Sequence, residues 1–251
     1  MIRVLIIFIL AAFPARAEQV VAGLSQNSIG ITASFDGSAI LIYGAVKRDA
    51  PEPTGPPLEV IVTLEGPSVP VTIRHKSREV GIWVNTEAVG VAAAPSYYAV
   101  ASTGPLSKIL SPDEDVRQRI SVPLAVRAFS GPLLVEDARP FTEALLRIRE
   151  AEGLYQLEQH GVTLVENTLF RADFDLPSNL TEGDYKVRIF LLRDGQVINQ
   201  HRAAIPVRKV GLERWLFVLS REQPLAYGLM SLALAVFAGW AASALFRLIR
   251  N

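Results

Sequence analysis

The sequence predicts a mainly β protein. It reads as an immunoglobulin-like antiparallel β-sandwich interrupted by a helical insertion at about 95–160, followed by a juxtamembrane helix at 209–223 and one transmembrane helix at 225–246. Three observations carry this. Short runs rich in Val, Ile and Thr, divided by turn formers, lie on both sides of a stretch with helical spacing. Leu225 to Phe246 carries no charge over about 22 residues, enough to cross a bilayer. The stretch Leu180-Thr181-Glu182-Gly183-Asp184-Tyr185 leads into a strand as the tyrosine corner of a sandwich does.

At the N-terminus, Arg3 precedes the apolar run Val4 to Phe13, about ten residues and too short to span a hydrocarbon core. It reads as the apolar region of a signal peptide, 1–17, with Ala15 and Ala17 as the small residues of a cleavage site and Glu18 as the mature N-terminus.

The early strands are Ile29–Phe35, Ala39–Val46, Leu58–Leu64 and Val71–Arg74, punctuated by Asp36-Gly37-Ser38, Pro51–Pro57 and Gly66-Pro67. In Leu58–Leu64, Leu58, Val60, Val62 and Leu64 share one side, so one core face and one mixed face are expected. From about Pro95 the pattern turns helical. Pro95 suits a first helical turn, and after Pro140 the residues Phe141, Leu145, Ile148 and Leu154-Tyr155 recur at spacings near three to four. Strands return as Val162–Val165, Thr168–Phe174, Tyr185–Leu192 and Val197–Val207, with Asp194-Gly195 as a hairpin turn. Neither half has strands enough to cover a sheet on both faces, which favours one interrupted sandwich at 18–208. Tyr185 is either the corner tyrosine or a tyrosine packed at a sheet edge.

At the C-terminal end, GLERWLFVLSRE (211–222) sets Leu212, Trp215, Leu216 and Leu219 along one stripe, an interfacial helix with Trp215 as its headgroup-level anchor. Pro224 predicts a bend before the span. Within the span, Ser231, Ala235, Gly239 and Ser243 recur every four residues, either a ridge of small side chains for helix contact or the mark of an Ala-rich span. Arg247 and Arg250, in a tail at 247–251, predict a cytoplasmic C-terminus and an exported N-terminal domain.

Composition narrows the function. The 251 residues hold 25 basic and 25 acidic side chains; without Arg3, Arg16, Arg247 and Arg250 the exported part keeps 21 basic residues against 25 acidic, a net of −4. Nucleic-acid binding has no electrostatic footing. Cys 0 removes disulfides, thiolate nucleophiles and Cys-based zinc sites. His75, His160 and His201 lack metal-ligand spacing, and no P-loop, dinucleotide or nucleophile-elbow pattern is present. Asp113-Glu114-Asp115 lacks the alternating ligands of a calcium loop and reads as the acidic first turn of a helix after Ser111-Pro112. No enzyme, metal site or cofactor is expected.

The segments Gln26–Val46, Gly81–Asn85, Pro95–Ser102 with Pro105-Leu106, and Glu213-Arg214-Trp215 followed by Gln223-Pro224-Leu225 resemble the alphaproteobacterial "putative transmembrane protein" family over nearly the whole mature chain. The resemblance implies a bacterial inner-membrane protein, with a periplasmic domain on one C-terminal membrane helix and a sulfite-exporter-type permease as the associated partner; it implies no activity and no catalytic residues. Two function classes follow. One is a membrane-anchored interaction or accessory protein, pairing with an integral membrane protein or a second copy. The other is a small-molecule or glycan-binding sensor in which Trp83, Tyr97 and Tyr98 line a pocket.

Overall fold

The computed structural model describes residues 18–32, 35–49, 51, 53, 55–129, 139–209 and 211–249. The signal-peptide reading (1–17) and Arg250 lie outside them. The strands are β1 (Gln19–Leu24), β2 (Ile29–Ile31), β3 (Ser38–Lys47), β4 (Glu59–Glu65), β5 (Ser68–Glu79), β6 (Ile82–Pro95), β7 (Tyr98–Ser102), β8 (Arg127–Phe129), β9 (Tyr155–Gln159), β10 (Val162–Val165), β11 (Leu169–Leu176), β12 (Gly183–Arg193) and β13 (Gln196–Lys209). The described residues divide into two units: one holds Asp36–Val207 with the residues before Gly30, the other holds Gly30–Phe35 and Arg208–Asn251.

In the first unit one sheet has the order β1-β3-β11-β10 and a second runs β13-β12-β4-β7-β9. The sequence of β11, LFRADFDL, alternates strictly. Phe170, Ala172, Phe174 and Leu176 are buried while the residues between them face water, as the two-residue period of a half-covered strand requires. β3 lies antiparallel beside it, with Ile40 opposite Phe174. Gly44 of β3 is required by close approach: a Cβ there would meet the Phe170 ring at 2.5 Å and the Val21 carbonyl at 2.6 Å. At the β12–β13 turn Asp194 (φ 50°) and Gly195 (φ 75°) both adopt left-handed backbone, as a two-residue hairpin turn of this twist demands. Tyr185 is buried and its hydroxyl donates to the Thr181 carbonyl at 3.1 Å, the bond back to upstream backbone that its sequence context suggests.

Three expectations are corrected. β4, an interior strand between β12 and β7, is buried from Val60 through Leu64, so both of its faces are covered and the expected mixed face does not exist. The stretch 95–160 is not purely helical. Pro95 ends β6, and Tyr98–Ser102 is a strand hydrogen-bonded to β4 and, in parallel, to β9. A fully buried apolar pentapeptide shows no period by which strand and helix are distinguished. Thirdly, Ile148 of the helix Arg139–Ala151 is half-exposed, and Leu154-Tyr155 lies beyond its end, past Gly153, where φ is +69°.

The acidic helix of the insertion sits where the sequence placed it. Ser111 caps the helix Pro112–Gln118, its hydroxyl accepting from the Glu114 amide at 3.4 Å, with Asp113, Glu114 and Asp115 in the first turn. The Asp115 carboxylate accepts from the amides of Ile120 and Ser121 at 3.1 and 2.8 Å, so it shapes the next turn. β5, β6 and β8 form a third sheet, over which Phe141 and Leu145 of the helix Arg139–Ala151 pack against Ile73, Val89, Val91 and Ala94.

Candidate membrane interface

The second unit carries the helices Leu212–Glu222 and Pro224–Ile249. Gln223 caps the first outside helical geometry (φ −135°, ψ 67°), and Pro224, with no N–H to continue the ladder, opens the second. The expected break between juxtamembrane helix and span is therefore present. Trp215 is half-exposed, and Phe217 holds the Arg221 guanidinium over its ring at 5.5 Å, so the helix presents aromatic and cationic groups together, as the headgroup zone favours.

Pro224–Ser243 is 20 residues long and apolar enough to cross a membrane, and none of it is buried. A helix of this composition, uncovered among the described residues, needs lipid or another helix as its cover. Its faces differ. Leu229, Leu232, Val236, Phe237 and Trp240 crowd one side, with the Phe237 and Trp240 rings 6.1 Å apart. At about 100° per residue, Ser231 and Ala235 fall on the other side and Gly239 at its margin, while the four-residue step carries Ser243 round between Leu232 and Val236, off the expected ridge. Gly228, Ala238 and Ala242 share that side; the four-residue period missed them because it admits no three-residue steps. The Ser231 hydroxyl donates to the Tyr227 carbonyl at 2.9 Å, which satisfies it inside the helix and removes its cost in lipid. A Cβ added at Gly228 or Gly239 would meet nothing within 4 Å. Glycine costs about 1 kcal/mol against alanine in a helix interior, and nothing in the chain itself requires it at these two positions.

The aromatic trio does not form a pocket. Tyr97 and Tyr98 are fully buried, and Trp83 is 69% exposed near the far end of β6. Twelve residues of strand separate Trp83 from Pro95, roughly 40 Å at about 3.3 Å per residue, so the three cannot line one cavity. The tyrosines are core residues. Tyr97 donates to the Asp175 carbonyl at 3.1 Å, and Tyr98 donates to the Ile120 carbonyl at 2.8 Å while accepting from Arg188 at 3.0 Å. Burial pushes both phenols well above the usual tyrosine range, and Tyr155 up to about 12.

The histidines stay apart. His75 sits 3.6 Å from the Glu87 carboxylate and edge-on to Phe141, and the His160 ring contacts the Thr103 carbonyl at 3.1 Å. Among the described residues no group of three or more His, Asp or Glu could hold a metal ion.

One charged cluster escaped sequence reading. Glu18 is buried, and its carboxylate accepts from Arg48 at 2.5 Å and from Arg193 at 3.0 and 3.1 Å. Arg48 also donates to the Asn167 carbonyl, and Arg193 to that of Pro56. Burial opposes ionisation of Glu18, yet the hydrogen bonds from Arg193 and Arg48 outweigh it and hold the carboxyl below its usual value.

Among solved structures the chain is similar to the sporulation control protein Spo0M of Bacillus subtilis, at 12% identity and a TM-score of 0.28, over 82% of this chain and 55% of that one. The chain thus spans about half the length of that protein. No curated protein matches. With an uncovered apolar span at one end and a β-rich unit before it, the match of residues 19–248 is decisive: the chain belongs to the alphaproteobacterial family described as "Putative transmembrane protein".

Proposed function

We propose that this is a membrane-anchored accessory protein, in which the small-residue side of the span receives a helix of an integral membrane partner. The observation that carries the reading is the open space around Gly228 and Gly239 on a helix that is uncovered among the described residues. Backbones approach closely over such a surface, and packing rather than hydrophobicity then drives association within lipid. The partner class implied by the family resemblance is a sulfite-exporter-type permease; a second copy of the chain is the other candidate. Larger side chains here should separate the helices at a cost of roughly 1–2 kcal/mol. Gly239→Ile is expected to reduce co-purification of the partner, or self-association, by about tenfold. Ala241→Ile, which adds three carbons on the opposite side of the helix from Gly239, should leave recovery unchanged. Equal recovery of the two variants, both inserted, would reduce the helix to a plain anchor.

In the same reading the β-rich unit faces the periplasm, residues 225–246 cross the inner membrane once, and 247–251 are cytoplasmic. The short apolar run at Val4 to Phe13 and the basic Arg247 and Arg250 support this orientation. An alkaline phosphatase fused after Lys209 should be active and one fused after Asn251 silent. The reverse pattern would invert the topology.

A further inference from the structure

β5 and β6 form a hairpin whose two halves differ. At its base Ile73, Val89 and Val91 are buried, and β8 pairs with Val91 and Ala93. Beyond Ile73 and Val89 the two strands continue for six residues or more, roughly 20 Å at about 3.3 Å per residue. None of residues 74–88 is buried. A two-stranded ribbon exposed on both faces is marginal in water, and this one gathers apolar side chains at its end. Val80 is wholly exposed, and Ile82 and Trp83 are each about two-thirds exposed. Val80 also has φ 50°, a left-handed conformation costly for a β-branched residue and ordinarily given to Asn, Asp or Gly in such a turn. Neither packing nor turn chemistry within the unit accounts for valine there.

Behind the tip stand Arg74, Lys76 and Arg78, the last directly opposite Trp83 in register. Two acids share the collar, Glu79 accepting from Ser77 and Glu87 facing His75, so that three cations stand against two carboxylates and the ribbon keeps a positive balance. An apolar tip with an aromatic ring and a basic collar is the arrangement that enters the boundary between headgroups and acyl chains, its cations on lipid phosphates. A chain fixed in a bilayer by its own span also meets that surface at high effective concentration.

We propose that the β5–β6 tip is a second membrane contact, inserting Val80, Ile82 and Trp83 into an anionic bilayer surface while Arg74, Lys76 and Arg78 engage the phosphates. The proposal rests on the span being a membrane anchor, and its test separates the two. Because the chain has Cys 0, Val80→Cys and, as a control, Glu150→Cys each accept one environment-sensitive fluorophore. The full-length protein is reconstituted into phosphatidylcholine vesicles with and without phosphatidylglycerol. The label at 80 is expected to shift to the blue and to be quenched by lipids brominated on their acyl chains, more so with phosphatidylglycerol and less so at high salt. The label at 150 should remain water-like. In a Trp215→Phe/Trp240→Phe background, Trp83 should report the same quenching without any change to the turn. Water-like emission at both 80 and 83 in protein that floats with the vesicles would overturn the hairpin contact and leave the anchor standing. Loss of flotation would overturn both. A blue shift that ignores brominated lipid and disappears as protein is diluted in lipid would assign the tip to a second copy instead.

Discussion

Glu18→Ala is expected to destabilise the β-rich unit by about 3–5 kcal/mol, because it leaves Arg48 and Arg193, each only 13% exposed, facing one another without their shared anion. The charge that remains is the source of the penalty, so Glu18→Gln, which keeps one acceptor oxygen, should lose less. The acidity of Glu18 gives the effect a pH signature. Its carboxyl is held below the ordinary value of 4.5, so the stability it confers is complete above that value and is lost as pH falls through the lowered folded pKa. Thermal denaturation of the detergent-solubilised protein and its Glu18→Gln variant should show a gap in Tm that is full near neutrality and closes in acid. A gap independent of pH would mean that packing, not the ion cluster, holds residue 18.

Tyr98→Ala should be comparably damaging, at about 3–5 kcal/mol, since it empties a fully buried ring position between β4 and β9. Tyr98→Phe isolates the hydroxyl. That change removes the donor to the Ile120 carbonyl and one acceptor of Arg188, whose guanidinium also donates to the Gln118 carbonyl at 2.7 Å and to Thr63 at 3.2 Å. A loss of about 1–3 kcal/mol is expected from the orphaned groups. Urea unfolding midpoints of the two variants measure both. The hydroxyl ties the residues after the helix Pro112–Gln118 to the sheet, so Tyr98→Phe should also speed tryptic cleavage after Arg119. An unchanged cleavage rate would place that anchorage elsewhere.

The strands from Val162 onward were legible because β11 is covered on one face only, and a half-covered strand writes its burial as alternation. β7 was not, since a strand buried on both faces carries no alternation, and Pro95 before it looked like a helix start. The free part of the β5–β6 ribbon was equally hidden: Arg74–Ala88 mixes charges, polar groups and exposed apolar residues, and no burial pattern imposes a period on it. The span was legible because length and absence of charge are properties of sequence alone. The aromatic trio shows the opposite case, since nearness along the chain, from 83 to 98, is distance when the chain runs as an extended strand. The Glu18 cluster had no local signature at all, as its partners stand 30 and 175 residues away.

That last separation bears on the order in which the protein becomes itself. The residue at the very start of the described chain is fastened to Arg193, and β3 waits for β11, some 130 residues downstream, before its inner edge is paired. A ribosome therefore finishes most of the β-rich unit before β3 and β4, each paired early on one side by β1 and β7, find their second neighbours in β11 and β12. Until then β3 and β4 are open templates for any passing strand, and the slow search typical of such long-range pairing falls in the interval when the chain is most vulnerable. A chain cut short before residue 193 is thus not a smaller version of this protein but an unfinished one, with its edges unsealed.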